Sequence, residues 1–319
     1  MNLFKLRLSI IGTLALIIGL STLAFTVLLT LTGTFNIYFI IILVVFINLI
    51  QWIFSPKIIE SLYKVKEVSY NEQPKLHNMM DRICQKSSII KPKVMLSNIP
   101  LPNAFAYGSP RYGNRVAVTT GLLNSLEDEE VEAVLAHEVG HLKNKDVQVM
   151  MFASVLPAIF YYIGFTFMLS SWSSGGRKDN GGNIIIGIAA MALYWVLSIF
   201  GLSLSRTREY YADIHAVKTV DDGARKLSEA LSKIATSETK NIQKNKKGGS
   251  SSFKSLFIND PDTAKNDVES FSNYRNHLND EEIVNKMLSK KVTGLDKIME
   301  LFSTHPNMVK RLKALQKMQ

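Results

Sequence analysis

The chain has 319 residues, 47% of them hydrophobic, with 37 Lys and Arg against 27 Asp and Glu and a formal net charge of +10. Its charge is spread very unevenly, because residues 8–56, 147–176 and 180–205 contain no Asp, Glu, Lys or Arg. Each run reaches the ~20 apolar residues that cross a bilayer and the first can cross twice, which excludes an ordinary soluble globule. The basic surplus gathers beside these runs, where cytoplasmic flanks are basic, so it reads as topology and not as a nucleic-acid surface.

In chain order, Lys5 and Arg7 precede an apolar stretch over residues 8–31. It has neither the short apolar core nor the small-residue cleavage site of a signal peptide, and reads as a retained anchor. Thr32-Gly33-Thr34 and Asn36 break the run, and residues 37–54 return as a second span that Pro56 and Lys57 end. Lys5 and Arg7 on one flank and Lys57, Lys64 and Lys66 on the other put both ends of this hairpin in the cytoplasm.

Residues 57–146 have the composition of a soluble part, with a helix expected over 74–86, a short strand over 93–97 and a β-branched strand over 115–120 closed by Gly121. A single cysteine, Cys84, fits a reducing compartment. Ser125, Glu127 and Asp128 are expected to cap the next helix, which should run through Asp146 into a third span over 147–172 that contains Pro157.

A Gly-rich loop over 173–182 and a fourth span over 184–204 follow, then a helix expected from 205 to about 237. Residues 240–252, with Lys246-Lys247-Gly248-Gly249-Ser250, read as a flexible basic loop. Residues 260–291 are polar and partly helical with no assignable role, and a basic helix begins at Met308. The chain thus divides into a membrane hairpin (1–56), a cytosolic part (57–146), a second hairpin (147–205) and a second cytosolic part (206–319).

The residues that carry chemistry begin at His137-Glu138-Val139-Gly140-His141. On a helix, residues four apart share one face with Cβ atoms about 5–6 Å apart, so both histidines can aim at one metal ion. Glu138 is turned part-way round the helix, where a general base belongs. A catalytic zinc takes a third protein ligand. His141 precedes the third span by about six residues and Glu209 follows the fourth by about five, so both stand at a similar height above the membrane. If those spans form a hairpin, Glu209 is the natural third ligand. Asp213, one turn later, can accept the Nδ1 proton of a ligand histidine and fix its tautomer.

Together with Ser205-x-x-Arg208-Glu209-Tyr210-x-Ala212-Asp213, Ser303-Thr304-His305-Pro306 and Pro102-Asn103-Ala104-Phe105-Ala106-Tyr107-Gly108, this pattern resembles the HtpX family of membrane-anchored zinc metalloproteases, relatives of the CAAX prenyl endopeptidases. The resemblance implies a mainly α integral membrane protein, with four transmembrane helices and a cytosolic zincin-like α+β metallopeptidase domain. It implies one zinc ion per chain on His137, His141 and Glu209, Glu138 as base, and Asp213 behind the ligands. His305 would assist the tetrahedral intermediate. Asn103, Ala104, Phe105 and Ala106 would form an edge strand that takes substrate backbone.

The implied partners are polypeptide substrates, above all membrane or misfolded proteins in quality control and stress response, together with the lipid bilayer. Two departures are Ser109-Pro110-Arg111-Tyr112-Gly113 and the insertion over 240–291. The charged flanks of the motif argue against a site inside the bilayer. A non-catalytic scaffold stapled by zinc would lack Glu138, and a processing protease for lipidated peptides is the other alternative. His77, His215 and His277 share no ligand spacing.

Overall fold

A computed structural model of the chain describes residues 37–173, 181–244, 279–290 and 292–319. The expected first span, the loop over 174–180 and most of the 240–291 insertion, including His277, lie outside the described residues. The first elements in order are α1 (Ile37–Tyr63), β1 (Val65–Glu67), α2 (Pro74–Ser87), β2 (Lys93–Ser97), β3 (Ala104–Ser109), β4 (Gly113–Thr119), α3 (Thr120–Leu123) and α4 (Asp128–Lys143). They are followed by α5 (Asp146–Ser173), α6 (Gly181–Thr219), α7 (Gly223–Lys244), α8 (Asp280–Leu288), α9 (Gly294–Leu301) and α10 (Met308–Gln316). Helices prevail, and α1, α5 and α6 are long and apolar enough to cross a membrane.

The chain divides into two compact units. In one, formed by residues up to Ile53 with Gln148–Gly201, apolar helices pair through a thin core of Ile40, Val44, Ile163 and Ala190. α5 and α6 approach closely where Gly164 faces Gly187, since a Cβ on Gly164 would stand 3.0 Å from the Gly187 carbonyl oxygen. Large apolar side chains such as Phe46, Ile185 and Phe200 point outward, the arrangement of helices solvated by lipid.

The second unit, Phe54–Val147 with Leu202–Gln319, holds a four-stranded sheet of order β1-β2-β4-β3. β2 and β4 run parallel in its centre, and β3 lies antiparallel to β4 with its other side a free edge. β3 alternates small and large side chains. Ala104 and Ala106 face α4 and let that helix come close, whereas Phe105 packs on Tyr63 and Tyr107, with ring centroids 5.2 and 5.6 Å away. α4 is buried along most of its length against α2, α7, β3 and β4.

Several boundaries differ from the sequence expectation. The strand expected over 115–120 is β4, which starts at Gly113 and ends at Thr119 because Thr119 caps α3, its hydroxyl accepting from the Leu122 N–H. α4 is capped at Glu127 and not at Ser125, whose N–H is taken by the Leu122 carbonyl of α3; the Glu127 N–H donates to the Glu130 carboxylate at 2.8 Å.

α4 does not continue into the third span either. It ends at Asn144, and Lys145 turns with φ 56°, which swings Asp146 back toward His141. The helix expected from 205 to about 237 is likewise two, parted at Asp222 with φ 56°. Pro56 sits inside α1, which runs on to Tyr63. Lys240 to Lys244, expected in the basic loop, form the end of α7.

Candidate active site

His137 and His141 lie on one face of α4 as the four-residue spacing dictates, with Nε2 atoms 3.2 Å apart and rings nearly perpendicular. Gly140 between them allows close packing, because a Cβ there would stand 3.1 Å from Ala212 Cα and from His215 Cβ and would push the two helices apart by a few tenths of an ångström. That contact lets α6 press on α4 and bring Glu209 alongside. Its carboxylate oxygens stand 3.6 Å from His137 Nε2 and 3.5 Å from His141 Nε2.

The remaining nitrogen of each histidine is held by an aspartate. His137 Nδ1 lies 2.9 Å from Asp213, and Arg311 from α10 grips that aspartate with two bonds of 2.7 Å. His141 Nδ1 lies 2.6 Å from Asp146, which Arg208 grips in turn. Both histidines therefore carry the Nδ1 proton toward a carboxylate and present Nε2 toward Glu209.

Burial and Arg311 work against protonation of His137, but the neighbouring carboxylates of Asp213 and Glu209 prevail and raise its pKa to about 9. Burial instead pushes His141 below its ordinary value. Burial would raise the pKa of Glu209, yet the charges of His305 and Arg311 hold it well below the usual carboxylate range, so it is an anion. Arg311 likewise overrides burial at Asp213.

His305 is turned toward this cluster by the Ser303-Thr304-His305-Pro306 turn, in which the Ser303 hydroxyl donates to the His305 carbonyl at 3.0 Å and accepts its N–H at 3.2 Å. Its Nδ1 stands 3.4 Å from Glu209, and neither ring nitrogen has a hydrogen-bond partner among the described residues although the residue is buried. Glu138 points to the sheet, and its Oε2 accepts the Ala106 N–H at 2.8 Å. Ala106 thus faces away from β4, and by the alternation of an antiparallel ladder so do Ala104 and Gly108. Asn103 precedes the strand and turns to β4, its carbonyl accepting from the Thr119 N–H at 3.0 Å.

The structure thus brings together His137, Glu138, His141, Glu209, Asp213 and His305, with Ala104 and Ala106 at the facing edge and Phe105 on the opposite side of the sheet. Sequence reasoning missed Arg311, Asp146 and Arg208. Asp146 had a readable signal, an acid five residues after His141, but Arg311 had none beyond its place on a basic helix. His215, taken as ordinary, donates Nδ1–H to the Ala136 carbonyl at 2.9 Å and accepts from Ser87 at 3.1 Å, which ties α4 to α2. His77 bonds the Val68 carbonyl.

The donor set fits a metal ion. One atom each of His137, His141 and Glu209 lie within 4.8 Å of one another: the two Nε2 atoms are 3.2 Å apart, and each faces one oxygen of the Glu209 carboxylate, His141 at 3.5 Å from Oε1 and His137 at 3.6 Å from Oε2, a two-nitrogen, one-carboxylate set of the kind that holds a catalytic zinc. Glu209 Oε2 is buried with no hydrogen bond among the described residues, although Arg311 Nη1 pairs with it at 3.1 Å.

The class this describes is a membrane-bound metalloprotease. Residues 70–319 match peptidase family M48, and the chain belongs to that family. A protease HtpX homolog of Aeropyrum pernix is 34% identical over 316 residues, 98% of this chain and 95% of the relative. One from Thermoplasma acidophilum is 32% identical over 99% of this chain and 93% of its own, and one from Methanothermobacter thermautotrophicus 42% identical over 58% and 68%. The fold is similar to the crystal structure of S. mikatae Ste24p, with a TM-score of 0.57 at 17% identity; the match covers 97% of this chain and 65% of that one.

Proposed function

We propose that this protease is a zinc-dependent endopeptidase that cuts membrane and misfolded proteins at the cytoplasmic face of the membrane. His137, His141 and Glu209 would hold one zinc ion per chain, and the observation that carries this is their convergence beside Glu138 at the free edge of β3. When bound, zinc supplies Lewis acidity for the scissile carbonyl and the attacking water.

The protein groups do the rest. The Ala106 N–H occupies one oxygen of Glu138 and fixes its orientation, leaving the other to take the proton of the attacking water and deliver it to the leaving amine. His305, whose Nε2 makes no hydrogen bond among the described residues, can turn a ring N–H toward the oxyanion of the tetrahedral intermediate. Asp213 holds the His137 ring so that its Nε2 lone pair faces the cluster. An extended substrate adds to the 103–106 edge through backbone bonds, a mode indifferent to side chains and suited to misfolded chains.

Glu138→Gln keeps the size and reach of the side chain but cannot accept a proton. Peptide hydrolysis by the purified full chain should fall about 10²–10⁴-fold with one zinc per chain retained, and unchanged hydrolysis would overturn the assignment. Glu209→Gln should lose both zinc and activity, with activity partly restored by excess zinc; full retention of both would remove Glu209 from the ligand set.

The cytoplasmic placement, with four spans and both termini inside, is supported by Lys57, Lys64 and Lys66 after one apolar run and Arg206 and Arg208 after another. In intact cells Ser174→Cys should react with an impermeant thiol reagent and Lys247→Cys should not; the reverse pattern would invert the topology.

A further inference from the structure

α9 is built the wrong way round for a helix of a soluble domain. It buries none of its residues, and Leu295, Ile298, Leu301 and the adjoining Phe302 are 48–63% exposed. Spacings of three and four put these four side chains on one face. The polar side is what holds the helix to the protein. Glu300 accepts the Asn307 N–H at 3.2 Å and pairs with Lys310, and Arg206 Nη1 donates to the carbonyls of Glu300 and Ser303 at 2.8 Å each. The first turn is self-capped, the Asp296 carboxylate accepting both the N–H and the hydroxyl of Thr293 at 2.7 Å. α9 is thus a stable helix whose apolar face has no protein cover among the described residues.

The tether says what covers it. Arg206 is the first charged residue after the apolar run of α6 and stands two residues past Leu204, about 3 Å along the helix axis. Three backbone carbonyls at the C-terminal end of α9 converge on that one guanidinium, so this end is fixed to α6 just past its apolar run. An outward apolar face at that level meets the boundary between acyl chains and headgroups.

We infer that α9 is an interfacial helix that seats Leu295, Ile298, Leu301 and Phe302 in the membrane surface and so anchors the turn carrying His305. The last turn of α9 runs directly into Ser303 and, two residues on, His305, and Arg206 holds the carbonyls of Glu300 and Ser303. The lipid seat thereby fixes the level above the membrane at which His305 stands beside Glu209. The inference rests on α6 crossing the bilayer.

The test uses the full chain in vesicles of phosphatidylcholine and phosphatidylglycerol, in a Cys84→Ala background. A polarity-sensitive fluorophore is placed in turn on Leu295→Cys, Ile298→Cys and, on the polar side, Lys297→Cys, with Val196→Cys in the apolar run of α6 as the internal reference. Lipids carrying a nitroxide near the carbonyl end of the acyl chain should quench the labels at 295 and 298 strongly and leave the label at 297 bright, with the emission at 295 and 298 blue-shifted, while the label at 196, about 15 Å deeper along α6, is read with lipids carrying the nitroxide near the methyl end. Quenching at 196 with none at 295 and 298 would overturn the inference and leave the membrane reading of α6 intact. Labels at 295 and 298 that respond to an added peptide substrate or to a second copy of the chain, and not to the nitroxide, would overturn it in favour of that occupant. Absence of quenching at 196 would overturn the membrane reading of α6 and the inference with it.

Discussion

The two candidate ligand histidines are supported by the same arrangement built in two different ways. Behind each Nδ1 stands an aspartate, and behind each aspartate an arginine. For His141 the aspartate is Asp146, five residues along the chain, reached by the turn at Lys145, and the histidine side chain keeps 17% of its surface exposed. For His137 the aspartate is Asp213 on α6 and the arginine is Arg311 on α10, with the histidine, aspartate and arginine side chains each only 1% exposed.

The difference lies in what Arg311 must balance. It faces Asp213 at 2.7 Å and Glu209 at 3.1 Å, so it neutralises two buried carboxylates, whereas Arg208 grips Asp146 at the margin of the site. Both arrangements join elements: the one behind His141 ties α4 to the start of α5 and to α6, and the one behind His137 ties α4 to α6 and α10. Only the second is sealed from solvent and shares its arginine with Glu209.

The largest expected effect therefore belongs to Arg311→Met. Removing one partner of a buried ion pair costs about 3–5 kcal/mol, because the remaining charges are left uncompensated. Thermal unfolding of the full chain in detergent should show a marked fall in midpoint, and a fall no larger than that of Arg208→Met would erase the distinction between the two arrangements.

Next in size, Asp213→Asn and Asp146→Asn should each weaken metal binding about 10–100-fold by loosening the imidazole behind which they stand. Asp213→Asn should do more, since its histidine is fully buried; chelator competition gives the ranking, and an equal loss would mean that burial is irrelevant to the orienting role.

The smallest effect is a pH dependence. Arg311 holds the folded pKa of Asp213 below its ordinary value near ~3.9, so the associated stability is complete above that value and is lost as pH falls through the folded pKa. Urea midpoints measured downward from pH ~5 should drop less steeply for Asp213→Asn than for the unaltered chain, and parallel curves would rule out a contribution from Asp213.

Much of the site was legible because its signals are local. A helix of 3.6 residues per turn puts His137 and His141 on one face whatever surrounds it, and uncharged runs of 20 or more residues mark membrane helices by composition alone. Glu209 could be reached by counting residues from the ends of two apolar runs. The strand over 93–97 and the helices starting at Pro74 and Met308 were also legible, through β-branched residues and a proline at a first helical turn. The breaks at Lys145 and Asp222 were not. Both are non-glycine residues with positive φ, a conformation that local propensity disfavours and that here comes with Asp146 turned onto His141 and with α7 laid against α4.

What the sequence by itself determined, then, is the periodic and compositional content: two histidines on one helix face, the glutamate beside them, the apolar helices and their basic flanks. What only the tertiary structure decided is which distant groups meet. Arg311 sits 98 residues from Asp213 and 174 from His137 and is buried among carboxylates, and no window of sequence distinguishes it from the exposed Lys313 two positions on. The Ala106 N–H meets Glu138 because β3 is an edge and its small side chains let α4 approach, a consequence of strand order and packing. The physical reason is the same in both cases. Helical spacing is enforced by bonds between neighbours along the chain, while the pairing of buried charges is enforced by desolvation, which exists only once the elements have packed.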